Sequence, residues 1–288
     1  LDCVLSFIES FVQAAATTPS ALPGLRFAPQ PVRMGHSVLA CKEDARNYWR
    51  TALYNSADGR PLAQFAKSAC ASHWLSFPVR VFPWLYLRGI QLRAGVHSTK
   101  SRRSRRTGTI DILCRGQCGQ RENLFHILQC CQVTHQARGW RHNLTMKLLV
   151  SKLTGRDHEV LIEPHISEDQ TFRKADIVLC VEDGLTVVDV AVADEDLVDT
   201  VYAGKIRHYS TVDVEGNLRR ILGKPADFPI LCVPAIFSRG SISPRSEVSL
   251  RLLGLSPFDL SDLCLAVGRD SLKAYDVSVR GAGSAENG

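Results

Sequence analysis

The sequence predicts an α/β protein made of a helical N-terminal region, a small Cys/His metal module and a C-terminal domain of strands and helices. Three observations support this fold class. Apolar residues recur at helical spacing before about residue 97. Four cysteines and a histidine lie within eighteen residues, at the spacing of metal ligands. Further on, two β-branched runs meet at a hairpin turn and are followed by a helix.

The composition is that of a globular protein and excludes disordered and fibrous classes. The 288 residues include 35 Lys or Arg and 29 Asp or Glu, a net charge of +6, and 45% of them are hydrophobic. The length suggests about two domains, and no stretch approaches the ~18 uninterrupted apolar residues of a transmembrane helix. The chain starts at Leu1 and its first methionine is Met34, so we expect a piece of a longer polypeptide.

Cysteine usage predicts a reducing compartment. Four of the ten cysteines are clustered around one histidine, and the other six stand singly, mostly in apolar surroundings. This pattern is typical of an intracellular protein with one metal cluster. We therefore expect a nuclear or cytosolic protein with no membrane partner.

Charge is distributed unevenly along the chain. Residues 88–147 carry twelve Lys or Arg against two Asp or Glu, a net charge of +10, whereas residues 157–215 carry four against fifteen, a net charge of −11. Such a split indicates a surface for a polyanion beside a region that attracts divalent cations, with two ordinary solvated faces as the alternative.

Helices are predicted at 3–15, 43–54, 62–77 and 84–96, the first of them ended by a proline-rich stretch. The aromatic residues of this region are interpreted as core, with base stacking as the alternative. A basic run at 100–106 follows and contains no apolar residue, so we expect a loop. It is a candidate for phosphate contact, with a solvated linker as the alternative. Its cations are Lys100, Arg102, Arg103, Arg105 and Arg106.

The cysteine cluster predicts a structural zinc site. Its spacing is Cys114-x3-Cys118-x7-His126-x4-Cys131, with the first pair on a glycine-containing turn and the second on a short helix over 122–131. Three thiolates and one imidazole close a tetrahedral zinc shell without an open position. Cys130 competes for the fourth position, because it lies one helical turn from His126. The metal would hold Arg115 and Arg121 against a nucleic acid.

Two carboxylates are predicted to share a Mg²⁺ ion. The runs 174–181 and 185–193 form a hairpin, and a turn centred on Asp183-Gly184 opposes residues whose numbers sum to 367. Asp176 and Asp189 then lie on the same side as diagonal neighbours, with Cβ atoms roughly 6–8 Å apart. Both stand in apolar strands, where an unpaired carboxylate is costly and a divalent cation removes the cost.

The next helix supplies a lysine to this pair. Lys205 shares one helical face with Leu197, Val201 and Tyr209, so it lies on the apolar side, where an ammonium needs an anionic partner. Two carboxylates, a lysine and a metal are suited to hydrolysis of a phosphodiester. Glu163 is a further candidate for the metal shell. The alternative is that these are hairpin-end and helix-surface charges.

Several motifs occur in order along the chain. They are the cluster with Phe125-His126-Ile127-Leu128-Gln129, then Arg141-His142-Asn143, Arg173-Lys174-Ala175-Asp176 and Val188-Asp189-Val190. Together they resemble the R2 class of non-LTR retrotransposons. The resemblance covers nearly the whole chain and places it after the reverse-transcriptase domain of the polyprotein. Ala175 stands where the family usually has proline, and the first cysteine pair has three intervening residues instead of two.

The resemblance implies a linker over 1–107, a CCHC zinc knuckle and following helix over 108–150, a restriction-like endonuclease over 151–279 with a mixed central sheet flanked by helices, and a disordered tail over 280–288. It implies that Asp176 and Asp189 are catalytic, with Lys205 as the lysine displaced onto a helix, and it adds Arg141 to the nucleic-acid contacts. The expected activity is a nick in ribosomal DNA that primes reverse transcription of element RNA by the upstream domain. Two alternatives stay open: a binding module with an inactive nuclease fold, and a knuckle that binds RNA in place of DNA.

Overall fold

A computed structural model describes residues 31–76, 81–154, 159–168 and 171–281. The predicted helix at 3–15 lies outside the described residues. The chain divides into two compact units, 1–52 and 53–288, and each is described by itself. The predicted domain boundaries near residues 107 and 150 remain predictions.

The described part of the first unit begins with a hairpin, which the helical expectation for this region missed. Strand β1 (Val32–Met34) pairs antiparallel with β2 (Ser37–Leu39) around a turn in which Gly35 has a φ of 59°. Helix α1 (Lys42–Asn55) follows and continues into the second unit. The Asp44 carboxylate accepts hydrogen bonds from the last backbone N–H groups before this helix, at 2.9 and 3.1 Å.

The second unit starts with short helical segments where one helix over 62–77 was predicted. They are α2 (Arg60–Phe65), a 3₁₀ turn (Cys70–Ser72), α3 (His73–Ser76) and α4 (Pro83–Arg93). A buried side chain accounts for the break after α2. The Arg93 guanidinium donates to the Ala71 carbonyl oxygen at 2.6 Å and to Ser72 Oγ at 2.9 Å, and it lies over the Phe65 ring. These bonds hold the backbone in a tighter turn than an α-helix allows.

The basic run forms a helix, so the expectation of a loop was wrong. Helix α5 (Lys100–Thr107) is capped by Thr99, whose Oγ1 accepts from the Arg102 N–H, and it ends at Gly108 with a φ of 67°. Lys and Arg are good helix formers, and caps at both ends stabilise a short helix. Ion pairs from the run to Asp58 and Asp111 offset part of its positive charge.

Helix α6 (His135–Leu153) leads from the Cys/His module to a five-stranded mixed sheet. The spatial order of the sheet is β3-β6-β7-β8-β9, with β7 and β8 parallel and the other pairs antiparallel. Strands β4 and β5 form a separate hairpin. The strands are β3 (Glu159–Ile162), β4 (His165–Glu168), β5 (Thr171–Lys174), β6 (Ile177–Val181), β7 (Gly184–Val192), β8 (Ile230–Ser238) and β9 (Ser241–Ile242).

Helices cover both faces of this sheet. One face, which includes Ile177 and Val190, packs against α6, α9 and α10, and the other, which includes Val178 and Val187, packs against α7 and α8. The expected mixed sheet flanked by helices is therefore present. The remaining helices are α7 (Val198–Tyr209), α8 (Val212–Ile221), α9 (Pro244–Leu252) and α10 (Pro257–Gly281).

The register of the β6–β7 hairpin differs from the expected one. Val181 pairs with Gly184, so opposed residues sum to 365 and the turn consists of Glu182 and Asp183. Gly184 lies within the strand, where a Cβ would lie 3.1 Å from the Pro229 carbonyl oxygen, a tight contact that favours glycine. A shift by two residues preserves the faces of the strands and brings the carboxylates directly opposite each other.

The C-terminal helix is longer than expected. Arg280 belongs to α10, which corrects the start of the predicted disordered tail, and residues after 281 lie outside the described part. Within the described residues, every helix is too short or too polar to cross a membrane.

Candidate functional site

The predicted ligands of the Cys/His cluster meet in the structure. One ligand atom from each of Cys114, Cys118, His126 and Cys131 lies within 4.8 Å of the others. The two sulfurs of Cys114 and Cys131 are 3.7 Å apart, and Cys118 Sγ lies 3.1 Å from His126 Nε2. Sulfurs on a tetrahedral zinc ion with ~2.3 Å bonds lie about 3.8 Å apart. Cys130 is exposed and outside the group, so Cys131 supplies the fourth position.

Two local structures bring these ligands together. The Cys114 N–H donates to the Gln120 carbonyl oxygen at 2.8 Å, which closes the turn between the first two cysteines. His126–Cys130 is a single π-helical turn, and the Cys131 N–H donates to the His126 carbonyl oxygen at 2.8 Å. The wider turn puts residues five apart on one side, as the last two ligands require.

Burial of the cluster disfavours charged ligands unless a cation accompanies them. Burial raises the pKa of the Cys114 thiol to about 12 and lowers the pKa of His126, so the imidazole is neutral with a lone pair to offer. A buried thiolate is stable only beside a positive charge, which a metal ion supplies. The donor set therefore fits zinc.

A buried carboxylate braces the cluster. Glu122 is fully buried and accepts hydrogen bonds from Arg115 N, Nε and Nη2 at 3.0, 2.8 and 2.7 Å. It also accepts from Lys100 N at 2.9 Å, at the start of α5. Burial raises the pKa of Glu122, but Arg115 outweighs that effect and holds this pKa below its usual value. The guanidinium of Arg115 is therefore committed to an internal ion pair.

The two predicted catalytic carboxylates lie side by side. Asp176 directly precedes β6 and, by continuation of the register, lies opposite Asp189 in β7. Both are buried, at 9% and 3% exposure. The Lys205 ammonium on α7 contacts Asp189 Oδ2, and the Tyr209 hydroxyl lies 3.0 Å from Asp189 Oδ1, to which it donates. The side chains expected from spacing thus converge, and Lys205 is aimed at the pair.

A histidine that the sequence argument did not select completes the surroundings of Asp176. Asp176 Oδ2 accepts from Val190 N at 2.7 Å and lies 3.3 Å from His142 Nε2 on α6. The bond to Asp176 raises the pKa of His142 to about 9. Burial raises the pKa of Asp176, but His142, the Val190 N–H and Lys205 together outweigh burial and bring that pKa below its usual value. Burial also raises the pKa of Asp189, and Lys205 offsets this only in part.

The geometry does not support Glu163 as a metal ligand. Its backbone N–H donates to the Asp176 carbonyl oxygen at 2.9 Å, but its carboxylate pairs with Lys174 at 2.7 Å. Among the described residues, the Cys/His cluster is the one group of three or more candidate ligands close enough to hold a metal. The expectation for Glu163 came from sequence proximity alone.

The predicted nucleic-acid contacts divide by exposure. Arg141 is buried, donates to Ser271 Oγ and to the Leu128 carbonyl oxygen, and therefore cannot meet a phosphate where it lies, which corrects its assignment. Lys100, Arg102 and Arg105 are in ion pairs, while Arg121 donates to Ser101 Oγ at 3.1 Å. Arg103 and Arg106 are exposed and form no ion pair with any described residue.

The sequence analysis named His142 and Tyr209 but did not select either of them as part of the carboxylate site. Tyr209 was placed on the face of Lys205, and that signal could have identified it as a donor to the carboxylates. His142 occurs in a motif used for the resemblance, but its contact partner lies far away in the sequence. No local pattern reports such a contact.

Comparisons with known proteins bear on this geometry. No family model matches the chain. It is similar to the "Retrovirus-related Pol polyprotein from type-2 retrotransposable element R2DM" of Drosophila melanogaster, at 30% identity over 231 residues, 79% of this chain and 22% of that protein. The same polyprotein from type-1 element R2 is 24% identical over 226 residues in Nasonia vitripennis and 30% over 207 residues in Popillia japonica.

These alignments cover 76% and 69% of this chain, and 22% and 28% of the two relatives. The chain thus spans less than a third of the length of these three proteins. The relatives carry both type-1 and type-2 names, and they confirm the resemblance noted in the sequence. The chain belongs to the family of R2 retrotransposon Pol polyproteins.

Proposed function

We propose that this chain is the metal-dependent DNA endonuclease region of an R2 polyprotein, with a CCHC zinc knuckle and a restriction-like nuclease fold. The observation that carries the proposal is the direct opposition of Asp176 and Asp189 on neighbouring strands, with the Lys205 ammonium on one of them. The strand hairpin followed by a helix and a parallel strand gives these residues a rigid support.

The residues present fit a divalent cation. Asp189 Oδ2 is buried and forms no hydrogen bond of ordinary geometry within the described residues, and the Lys205 ammonium contacts it as an ion pair. Oxygens of Asp176 and Asp189 would hold Mg²⁺, which when bound shields the charge of a phosphodiester and lowers the pKa of its water. Lys205 neutralises charge that develops on the phosphate oxygens. Tyr209 fixes the orientation of the Asp189 carboxylate.

The substrate follows from the family. We infer that the strand cut is target ribosomal DNA and that the new 3′-hydroxyl primes reverse transcription of element RNA by a polymerase domain upstream in the polyprotein. A nuclear location goes with these partners, and Arg103 and Arg106, exposed and without a described ion pair, are the cations that would meet nucleic-acid phosphates. Non-catalytic binding of DNA or RNA is the rival function.

A nicking assay separates the two functions. The chain, alone and within its polyprotein, is incubated with a ribosomal DNA duplex with and without Mg²⁺. We expect Asp176→Ala to bind the duplex but not to nick it, because binding residues lie elsewhere. The matched control is Asp183→Ala, which removes an exposed carboxylate from the turn of the same hairpin and should nick normally. Binding without nicking by the unmodified protein would favour the inactive fold, and nicking by Asp176→Ala would overturn the site.

The basic helix α5 is the proposed phosphate contact. Arg103 and Arg106 are its exposed cations with no described ion pair, so they are free to replace counterions on DNA. Changing both to Gln should lower the slope of log affinity against log salt by about 2, since each phosphate contact contributes about 0.9. The control changes two exposed arginines of α1, Arg46 and Arg50, to Gln. Equal slopes for all three proteins would show that α5 does not contact the phosphates.

Competition between duplex and element RNA, repeated with Cys118→Ser, tests which nucleic acid the knuckle prefers.

A further inference from the structure

Helix α6 joins the Cys/His cluster to the carboxylate pair. It begins four residues after Cys131. Near its start, the Arg138 guanidinium donates to the carbonyl oxygens of Gln129 and Cys131, and Thr134 Oγ1 donates to the Ile127 carbonyl oxygen at 2.6 Å. These bonds fasten the first turns of α6 to the π-helical turn of the cluster. One turn further along, the same helix carries His142.

His142 is held by two acceptors at one ring nitrogen. Its Nε2 lies 3.1 Å from the Val190 carbonyl oxygen and 3.3 Å from Asp176 Oδ2. Both atoms accept hydrogen bonds, so Nε2 carries a proton and is shared between them. The side chain is 35% exposed, so the imidazole is partly open to solvent and does not lie within the core.

The two oxygens of Asp176 therefore have different surroundings. Oδ2 receives the Val190 N–H at 2.7 Å and faces the imidazole N–H, which together fix the plane of the carboxylate. Among the described residues, no donor reaches Oδ1. A carboxylate fixed at one oxygen presents the other in a defined direction, which is the arrangement that orients metal ligands.

We propose that His142 is a positioning residue that fixes Asp176 so that its Oδ1 is presented to a divalent cation. The placement of α6, and with it the Cys/His cluster, then becomes part of the geometry of the cation site. The proposal rests on the proposed endonuclease function, which places a cation between Asp176 and Asp189.

The test measures how nicking depends on the concentration of Mg²⁺. Loss of a residue that orients a metal ligand typically costs 10–100-fold in metal affinity. We expect His142→Ala to raise the half-saturating Mg²⁺ concentration by about 10–100-fold, with the maximal rate largely recovered at excess Mg²⁺. His142→Gln, which offers an N–H at similar reach, should restore most of the affinity. The matched control is His135→Ala, an exposed histidine at the start of the same helix.

A second readout does not depend on cleavage. Binding of Mn²⁺ to the full chain is followed by electron paramagnetic resonance for the unmodified protein, Asp176→Ala, His142→Ala and His142→Gln. The proposal expects weaker Mn²⁺ binding in both alanine variants and recovery with Gln. If the unmodified chain binds Mn²⁺ through Asp176 but never nicks DNA, the endonuclease proposal fails and this one stands.

An unchanged half-saturating Mg²⁺ concentration in His142→Ala, in a protein that nicks normally, would overturn the positioning role. So would a Gln variant as impaired as the Ala variant in Mn²⁺ binding. Thermal denaturation of each variant identifies a general loss of folding, which would lower the stability of His142→Ala without a selective change in metal dependence. If His142→Ala loses its fold, the Mn²⁺ affinity of His142→Gln decides whether His142 positions Asp176.

Discussion

Replacement of the buried carboxylate of Glu122 by an amide should substantially lower the free energy of unfolding of the protein, because this carboxylate braces the Cys/His cluster. Glu122→Gln keeps the size of the side chain but removes its charge and one of its two acceptor oxygens. Four donors now meet this carboxylate, three of them from Arg115 and the fourth from the Lys100 backbone. At least two donors lose their acceptor, and each loss lowers the free energy of unfolding by about 1–3 kcal/mol. The total is close to the ~3–5 kcal/mol that breaking a buried ion pair costs.

Urea denaturation at pH 7 with zinc present measures this loss as a decrease in the free energy of unfolding. Glu182→Gln, at the exposed hairpin turn, is the matched control and should change stability by less than about 0.5 kcal/mol. Competition with a chelator should show faster zinc loss from Glu122→Gln, because Arg115 lies next to the ligand Cys114. A loss below about 1 kcal/mol relative to the control would refute the view that this ion pair braces the cluster.

Three further outcomes are expected. Tyr209→Phe removes the hydroxyl donor of Asp189 and should lower the free energy of unfolding by about 1–3 kcal/mol; an unchanged melting temperature would count against that hydrogen bond. The raised pKa of His142, about 9 against 6.5, gives stability that is complete below pH 6.5 and lost as pH rises through 9. From pH 6.5 to 9, the free energy of unfolding should fall by about 1–2 kcal/mol, an amount that the partial exposure of His142 reduces. This dependence on pH should disappear in His142→Ala. Arg141→Met should destabilise the fold without weakening DNA binding, and the reverse result would restore its assignment as a phosphate contact.

Spacing was sufficient to predict the parts of both sites that depend on local geometry. Four ligands within eighteen residues have few ways to meet, and the structure brings together the set that includes Cys131. The i, i+4 pattern placed Lys205 and Tyr209 on one face of α7, and both reach Asp189. Periodicity thus identifies a face, and a shared face brings its members to one partner.

Tertiary contacts decided what the sequence could not. Gly184 was expected in the turn, but it lies in β7 in close approach to Pro229, and the register moves by two. The basic run has local signals for a helix in its propensity and its caps, and Asp58, more than forty residues earlier, adds ion pairs to two of its arginines. Arg141 was counted as a surface charge, although its partners on other elements bury it. Each of these differences involves a partner distant in the chain.

The length of the short connection between β6 and β7 has a consequence of its own. Glu182 and Asp183 are solvent-exposed, so many other side chains would fit at these two positions. One inserted or deleted residue here, however, would offset β6 against β7, and an odd offset turns every side chain of one strand to the opposite face. Asp176 and Asp189 would then lie on opposite faces of the sheet. Natural variation at this loop should therefore change the identity of its residues and leave their number at two.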